Sequence, residues 1–226
     1  MTQRAHLPSP TRAAGLQLTL GIAALLGASI LFGMLAEDVF TGDPIVMLDR
    51  RVAVWLHVHS LPAVTTIMLA VTRMHSASGV TVLTIAFAGW LAWKRHCDWL
   101  LALLLVVPGG MAVNVLMKYA FHRARPSFVD PLLTLPSYSF PSGHTAGATL
   151  FYGVLAAFAM THVATWRSRA WCAAAALAMV ALVGFSRMYL GAHYLSDVVG
   201  AALEASAWLA LCLTVVNTRN RRRAAR

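Results

Sequence analysis

The stretch WLLALLLVVPGGMAVNVLMKYAFHRARP, residues 99–126, carries no charge from Trp99 to Met117 and then meets Lys118, Arg123 and Arg125 in quick succession. A membrane-spanning helix takes about 20 mostly apolar residues, so the run 99–119 is long enough to cross. Lipid therefore sets the fold, and the cations at the end of the run need a reason to be there.

Working outward, five further apolar runs reach or approach spanning length, at 14–36, 77–93, 145–163, 170–188 and 194–216. The expectation is an all-α bundle of six transmembrane helices. Composition agrees, with 59% hydrophobic and 12% charged residues and a mean hydropathy of +0.68, against about 25% charged in ordinary soluble domains. Disorder, collagen and disulfide scaffolds are excluded. Cys97, Cys172 and Cys212 form no CxxC pair and read as small apolar residues, with neither a disulfide nor a zinc site expected. The first run is too long for a signal-peptide core and lacks an A-x-A flank, so it is read as a retained span. Between the first two spans, the chain carries Glu37-Asp38, Gly42, Asp43 and Pro44, then Val52, Trp55, Leu56 and Val58 at helical spacing. That pattern predicts a helical segment lying in the membrane interface. Residues 61–76 fit a re-entrant piece, an interfacial piece or the start of a span. The organisation is then a cytoplasmic tail at 1–13, one membrane domain at 14–217 and a basic cytoplasmic tail at 218–226.

Charge sorts along this topology. Lys and Arg number 18 against 8 Asp and Glu, a net +10. In a soluble protein this excess would suggest nucleic acid; in a membrane protein it marks cytoplasmic loops. With the N-terminus inside, Arg4, Arg12, Lys94, Arg95, Arg167, Arg169, Arg219, Arg221, Arg222, Arg223 and Arg226 fall on the cytoplasmic side. The outer side receives Arg50, Arg51, Arg73, Lys118, Arg123, Arg125 and Arg187, against the usual bias. The expected partner at this point is the bilayer, with no nucleic acid and no obligate protein partner.

Three clusters gather most of the outer charge on one face: KYAFHRARP at 118–126, FPSGH at 140–144 and SRMYLGAHYLSD at 186–197. Lys118, Arg125 and Arg187 together call for a multiply charged anion, and phosphate fits the guanidinium fork. Ser142 reads as a helix cap whose free N–H groups face an anion, and Gly143 lets the backbone approach it. His193 and Asp197 are four apart on one helical face, so the carboxylate can take one ring N–H and leave the other nitrogen as base or nucleophile. His144 is free to protonate a leaving oxygen.

In order and spacing, Lys118-x6-Arg125-Pro126, Pro141-Ser142-Gly143-His144 and Ser186-Arg187-x5-His193-x3-Asp197 resemble the three-part signature of the type 2 phosphatidic acid phosphatase superfamily, the lipid phosphate phosphatases. The resemblance covers about 60–217. It implies a phosphatase without metal or other cofactor, with His193 as nucleophile through a phosphohistidine, His144 as general acid, and Lys118, Arg125, Ser142, Gly143 and Arg187 on the phosphoryl group. Its bacterial membrane branch implies an inner-membrane enzyme acting at the outer face on undecaprenyl diphosphate, phosphatidylglycerophosphate or phosphatidic acid. The family often has Gly where His122 stands.

Other readings compete at single residues. Lys118 and Arg125 alone could be interfacial anchors beside Tyr119 and Phe121. Arg50, Arg51 and Arg73 belong to no motif and are read as interfacial, and Arg123 adds a supporting cation without an assigned role. His57, His59, His75 and His122 lack a carboxylate cluster and are read as surface histidines rather than metal ligands. Asn114 and Glu204, both within spans, either support the site or form an interhelical hydrogen bond. At the level of function, a lipid phosphotransferase would share every motif. A vanadate haloperoxidase resembles the site but is large and soluble. A lipid-phosphate binding or transport protein needs neither nucleophile nor acid.

Overall fold

The computed structural model describes residues 10–42, 44–133 and 137–224. They form helices α1 (Pro10–Thr41), α2 (Pro44–Val58), α3 (Pro62–Met74), α4 (Ala77–Trp93), α5 (Cys97–Phe121), α6 (Gly143–Thr161), α7 (Trp166–Tyr189) and α8 (Leu195–Ala224). No strand occurs among the described residues. Much of the expected tail 1–13, Arg226, and Asp43 lie outside them.

The all-α expectation holds, and four of the six expected spans pass on length and apolarity. Four helices, α1, α5, α7 and α8, are long and apolar enough to cross a membrane, and α2 with α3 makes a fifth candidate as a pair bent by 119°. The fourth predicted span, α6, is not among the four. Gly143, His144, Thr145, Gly147 and Thr149 dilute its apolarity because it is the inner helix of the bundle, buried along Thr145–Phe151 and at Val154. A helix sheathed by other helices does not need a lipid-facing sequence. The second predicted span, α4, begins and ends where expected but has 17 residues. α1 runs past the predicted boundary through Glu37 and Asp38 to Thr41, and Gly42, at φ +84°, then turns the chain.

The interfacial segment is two helices. In α2 the buried stripe is Asp49, Ala53 and Leu56, whereas the predicted Trp55 and Val58 face outward, at 60% and 70% exposure. Residues 61–76 form α3 and its cap, docked on α7 through a cluster of Leu56, Met68, Tyr189 and Leu190. Helix α6 packs between α5, α7 and α8, and the main core joins Val106, Leu150, Phe151, Val154 and Ala201. Gly110 brings α5 close to α6: a β-carbon there would lie 2.6 Å from the methyls of Leu150. Helix α1 lies along α8, with Arg221 bonded to Gln17. His96 and His162 also meet, at 5.8 Å, joining the α4–α5 and α6–α7 connections. Chain reversal then leaves the ends of α5, α7 and α3 and the starts of α6 and α8 at the opposite end of the bundle.

Candidate active site

All three sequence clusters meet at that opposite end. At its centre, His193 is 2% exposed in the turn between α7 and α8, and Asp197, 0% exposed, sits one helical turn on. The histidine's Nδ1 lies 3.4 Å from Asp197 Oδ2, and its Nε2 lies 3.1 Å from Arg125 Nη1. A carboxylate only accepts and a guanidinium only donates, which fixes the tautomer. Nδ1 carries the proton, and Nε2 keeps its lone pair. Burial, opposed by Asp197 and helped by Arg125 and Lys118, pulls the His193 pKa down to about 3, so the imidazole is neutral at ordinary pH.

Asp197 is saturated with donors. Oδ2 also accepts from Tyr194 N at 2.8 Å and from the Ser139 hydroxyl, and Oδ1 accepts from Arg123 Nη1 at 2.6 Å. Sequence reasoning does not single out Ser139, which lies in the loop before Phe140-Pro141 and carries no spacing signal.

The cations divide in a way that charge counting could not foresee. Arg125 spends all five N–H groups on the protein: on Ser137 O at 2.6 Å, Ser137 Oγ at 2.9 Å, Tyr138 O at 3.1 Å, Ala192 O at 2.6 Å and His193. Burial lowers its pKa. Lys118 Nζ donates to Tyr138 O at 3.0 Å and Ser139 O at 3.4 Å, holding the same loop. Arg187 is different. It is 1% exposed, bonds Thr72 Oγ1 through Nη1, and leaves Nε and Nη2 buried without a partner. A buried guanidinium with free donors is costly unless an anion fills the space before it.

At the start of α6, Ser142 caps the helix, its hydroxyl facing Thr145 N at 3.5 Å and accepting from Thr145 Oγ1 at 3.0 Å. Its own N–H donates to Asp197 O at 3.0 Å, which ties the second cluster to the third. A β-carbon on Gly143 would come within 3.4 Å of Asn114 Oδ1 and 3.8 Å of Lys118 Cε. These are ordinary contact distances, so the neighbours of this glycine do not by themselves exclude a side chain. His144 lies within the electrostatic reach of Arg187, His193 and Arg125. It also lines a cavity of about 510 Å³ with His75, Val80, Ile85, Leu104, Pro108 and Met111, between α4, α5 and α6.

Arg123, without a role in the motif reading, joins two buried acids. Beyond Asp197 it reaches Asp49 Oδ2 at 2.8 Å and Ser196 Oγ at 2.7 Å, and it lies 4.5 Å over the Tyr194 ring. Burial works against its charge, but Asp197 and Asp49 outweigh that and raise its pKa. Asp49 is the acid that sequence reasoning missed. Its signal was its place on one helical stripe with Ala53 and Leu56.

Asn114 Nδ2 donates to Glu204 Oε2 at 2.9 Å, so this pair is an interhelical hydrogen bond between α5 and α8. Arg50, Arg51 and Arg73 are exposed and hold none of these groups. The spare histidines are dispersed. His57 stacks on Phe128 at 4.2 Å, His59 on Trp55 at 4.6 Å, and His75 joins Val71 O to Tyr152 OH. His122 caps α5 at φ 49°, the left-handed conformation that glycine takes most readily.

A membrane-embedded helical bundle that gathers at one end a tautomer-fixed imidazole and a buried arginine with two unpartnered donor atoms has the layout of a phosphoryl-transfer protein. The chain belongs to the PAP2 superfamily, whose family model matches residues 99–221, and so it stands among the membrane lipid phosphatases. It is 34% identical over 143 residues to phosphatidylglycerophosphatase B of Bacillus subtilis, covering 62% of this chain and 68% of that one. Its fold is similar to the crystal structure of a transmembrane PAP2-type phosphatidylglycerolphosphate phosphatase from Bacillus subtilis, with a TM-score of 0.76, 27% identity, and coverage of 88% of this chain and 97% of that one. It also resembles Aquifex aeolicus LpxE in fold, with a TM-score of 0.59, 22% identity, and coverage of 74% and 94%.

Proposed function

We propose that the protein hydrolyses a phosphate or diphosphate from a lipid headgroup, with phosphatidylglycerophosphate as the leading substrate and undecaprenyl diphosphate and phosphatidic acid next. The observation that carries this reading is the presence at one end of the bundle of His193, whose unprotonated Nε2 carries a lone pair, and of Arg187, whose Nε and Nη2 lack partners. The relatives named for phosphatidylglycerophosphate chemistry support the headgroup, and the apolar cavity beside His144 supports a lipid tail.

In this mechanism the phosphoryl oxygens take the free donors of Arg187, the N–H groups at the start of α6 beside Ser142 and Gly143, and the remaining Lys118 proton. Arg125 gives up its bond to Nε2 as the phosphoryl group arrives. Nε2 attacks phosphorus in line, the bond from phosphorus to the lipid oxygen breaks, and His144, which takes up a proton as the phosphoryl group's negative charge offsets Arg187 and Arg125 beside it, passes that proton to the oxygen. Positive charge develops on the imidazole, and Asp197 stabilises it through Nδ1–H. Water then attacks the phosphohistidine, His144 takes the water's proton, and phosphate leaves with the P–N bond broken. No step requires a metal. The enzyme sits in the bacterial inner membrane with both termini in the cytoplasm, because Lys94, Arg95, Arg167, Arg169 and the Arg219–Arg223 run share the end away from the site.

The test is phosphate release by purified enzyme from phosphatidylglycerophosphate, undecaprenyl diphosphate, phosphatidic acid and a lipid A phosphate, in EDTA. Free phosphate from at least one of them is expected, highest from phosphatidylglycerophosphate. Strict dependence on a divalent metal would refute the mechanism, and phosphate appearing only on a second lipid would make the protein a phosphotransferase.

A further inference from the structure

We propose that Asp49, on α2, is a positioning residue for the nucleophilic histidine and acts through Arg123. The proposal rests on the reading of His193 as nucleophile. Asp49 lies outside residues 99–221, the part of the chain matched by the family model, so only its contacts speak for it.

Those contacts form a closed unit. Asp49 is 0% exposed. Its Oδ1 accepts from Ser196 N at 2.9 Å, and its Oδ2 accepts from Arg123 Nη2 at 2.8 Å and from the Ser196 hydroxyl. Arg123 turns its other terminal nitrogen to Asp197 Oδ1 at 2.6 Å. One guanidinium thus bridges two buried carboxylates, and the second of them orients His193.

The arrangement has geometric and electrostatic consequences. With Nη2 fixed on Asp49 the plane of the guanidinium is set, and Nη1, which also donates to Ser196 Oγ at 2.7 Å, holds Asp197 with Oδ2 turned toward His193 Nδ1. The charge balance matters as much. A lone Arg123 would neutralise Asp197 just when the imidazole needs an anion beside it. Shared between two carboxylates, the single positive charge leaves the cluster one negative charge in excess. That excess stabilises the imidazolium as Nε2 bonds phosphorus. A tie between α2 and α8 with no part in the reaction would need only the Asp49–Ser196 bonds; the guanidinium that continues to Asp197 is what links α2 to the chemistry.

Because Asp49 does not touch the phosphoryl group, its removal is expected to lower kcat and to spare KM. The experiment measures both constants on phosphatidylglycerophosphate, with the melting temperature, for the full-length enzyme and D49N, R123Q, the double variant and H193A. D49N is expected to lose about tenfold to a hundredfold in kcat, the scale of a small misplacement of a reacting group, with KM within about twofold. The double variant is expected to be no slower than R123Q, since two residues acting through one path are not additive. Wild-type kcat in D49N, or losses that multiply in the double variant, would overturn the proposal. So would a lower melting temperature with kcat per folded enzyme unchanged, which marks a purely structural tie. Turnover by H193A would overturn the nucleophile reading itself. Should D49N not fold, R123K, which keeps the charge without the planar fork, is expected to show the same kcat loss, and wild-type kcat there would equally overturn the proposal.

Discussion

His193 combines deep burial with a neutral ring, and this has a measurable cost. Its pKa falls to about 3 in the folded protein from an ordinary value near 6.5, so between those limits the unfolded chain binds a proton that the folded chain does not. Stability then falls as pH is lowered through that window. Thermal unfolding in detergent at about pH 7 and about pH 5 is expected to show a smaller pH-dependent drop in His193→Gln than in the native protein; equal drops would show that the histidine is not held neutral. Arg187 makes the complementary case. Thr72 is the partner that fixes its Nη1. Thr72→Val removes that bond and is expected to raise KM about tenfold, the value of one hydrogen bond to a charged group at the lower end; an unchanged KM would show that Arg187 is oriented without it. At this scale the motif residues were legible because their spacing carries chemistry. Asp49, Ser139 and Thr72 were not, since each reaches the site from a separate segment and only the fold brings them together.

Among the elements, the α3–α4 turn is the tightest point near the site. A β-carbon on Gly79 would lie 2.1 Å from the Met74 carbonyl oxygen, whereas one on Gly89, in the same helix, meets nothing within 4 Å. Gly79→Ala is therefore expected to destabilise by about 1–3 kcal/mol through backbone displacement, and Gly89→Ala to be neutral or stabilising by up to about 1 kcal/mol. Similar melting temperatures for the two would contradict the packing described. Apolar run length read α1, α5, α7 and α8 well, apart from their ends, because lipid imposes a length on them. Apolarity alone marks α6 less clearly, because a central helix packs on protein and tolerates small and polar residues. Periodicity found α2 and its apolar residues, of which Trp55 faces outward, but not the acid Asp49, which the bundle buries.

For the molecule as a whole, the sorting of cations between two ends makes a statement about orientation. Cys97 is exposed at the start of α5, at the end where α1 begins and α8 finishes, and Cys212 is buried. In a variant retaining Cys97 as its only cysteine, a membrane-impermeant maleimide is expected to label inverted vesicles and not intact cells; the reverse pattern would place the active site inside. The account as a whole turns on a covalent intermediate at one atom, His193 Nε2. Enzyme mixed with lipid carrying a labelled terminal phosphate and quenched within the first turnovers is expected to hold base-stable, acid-labile label, which is lost in His193→Ala together with all phosphate release in EDTA. Label or full activity persisting in that variant would contradict it.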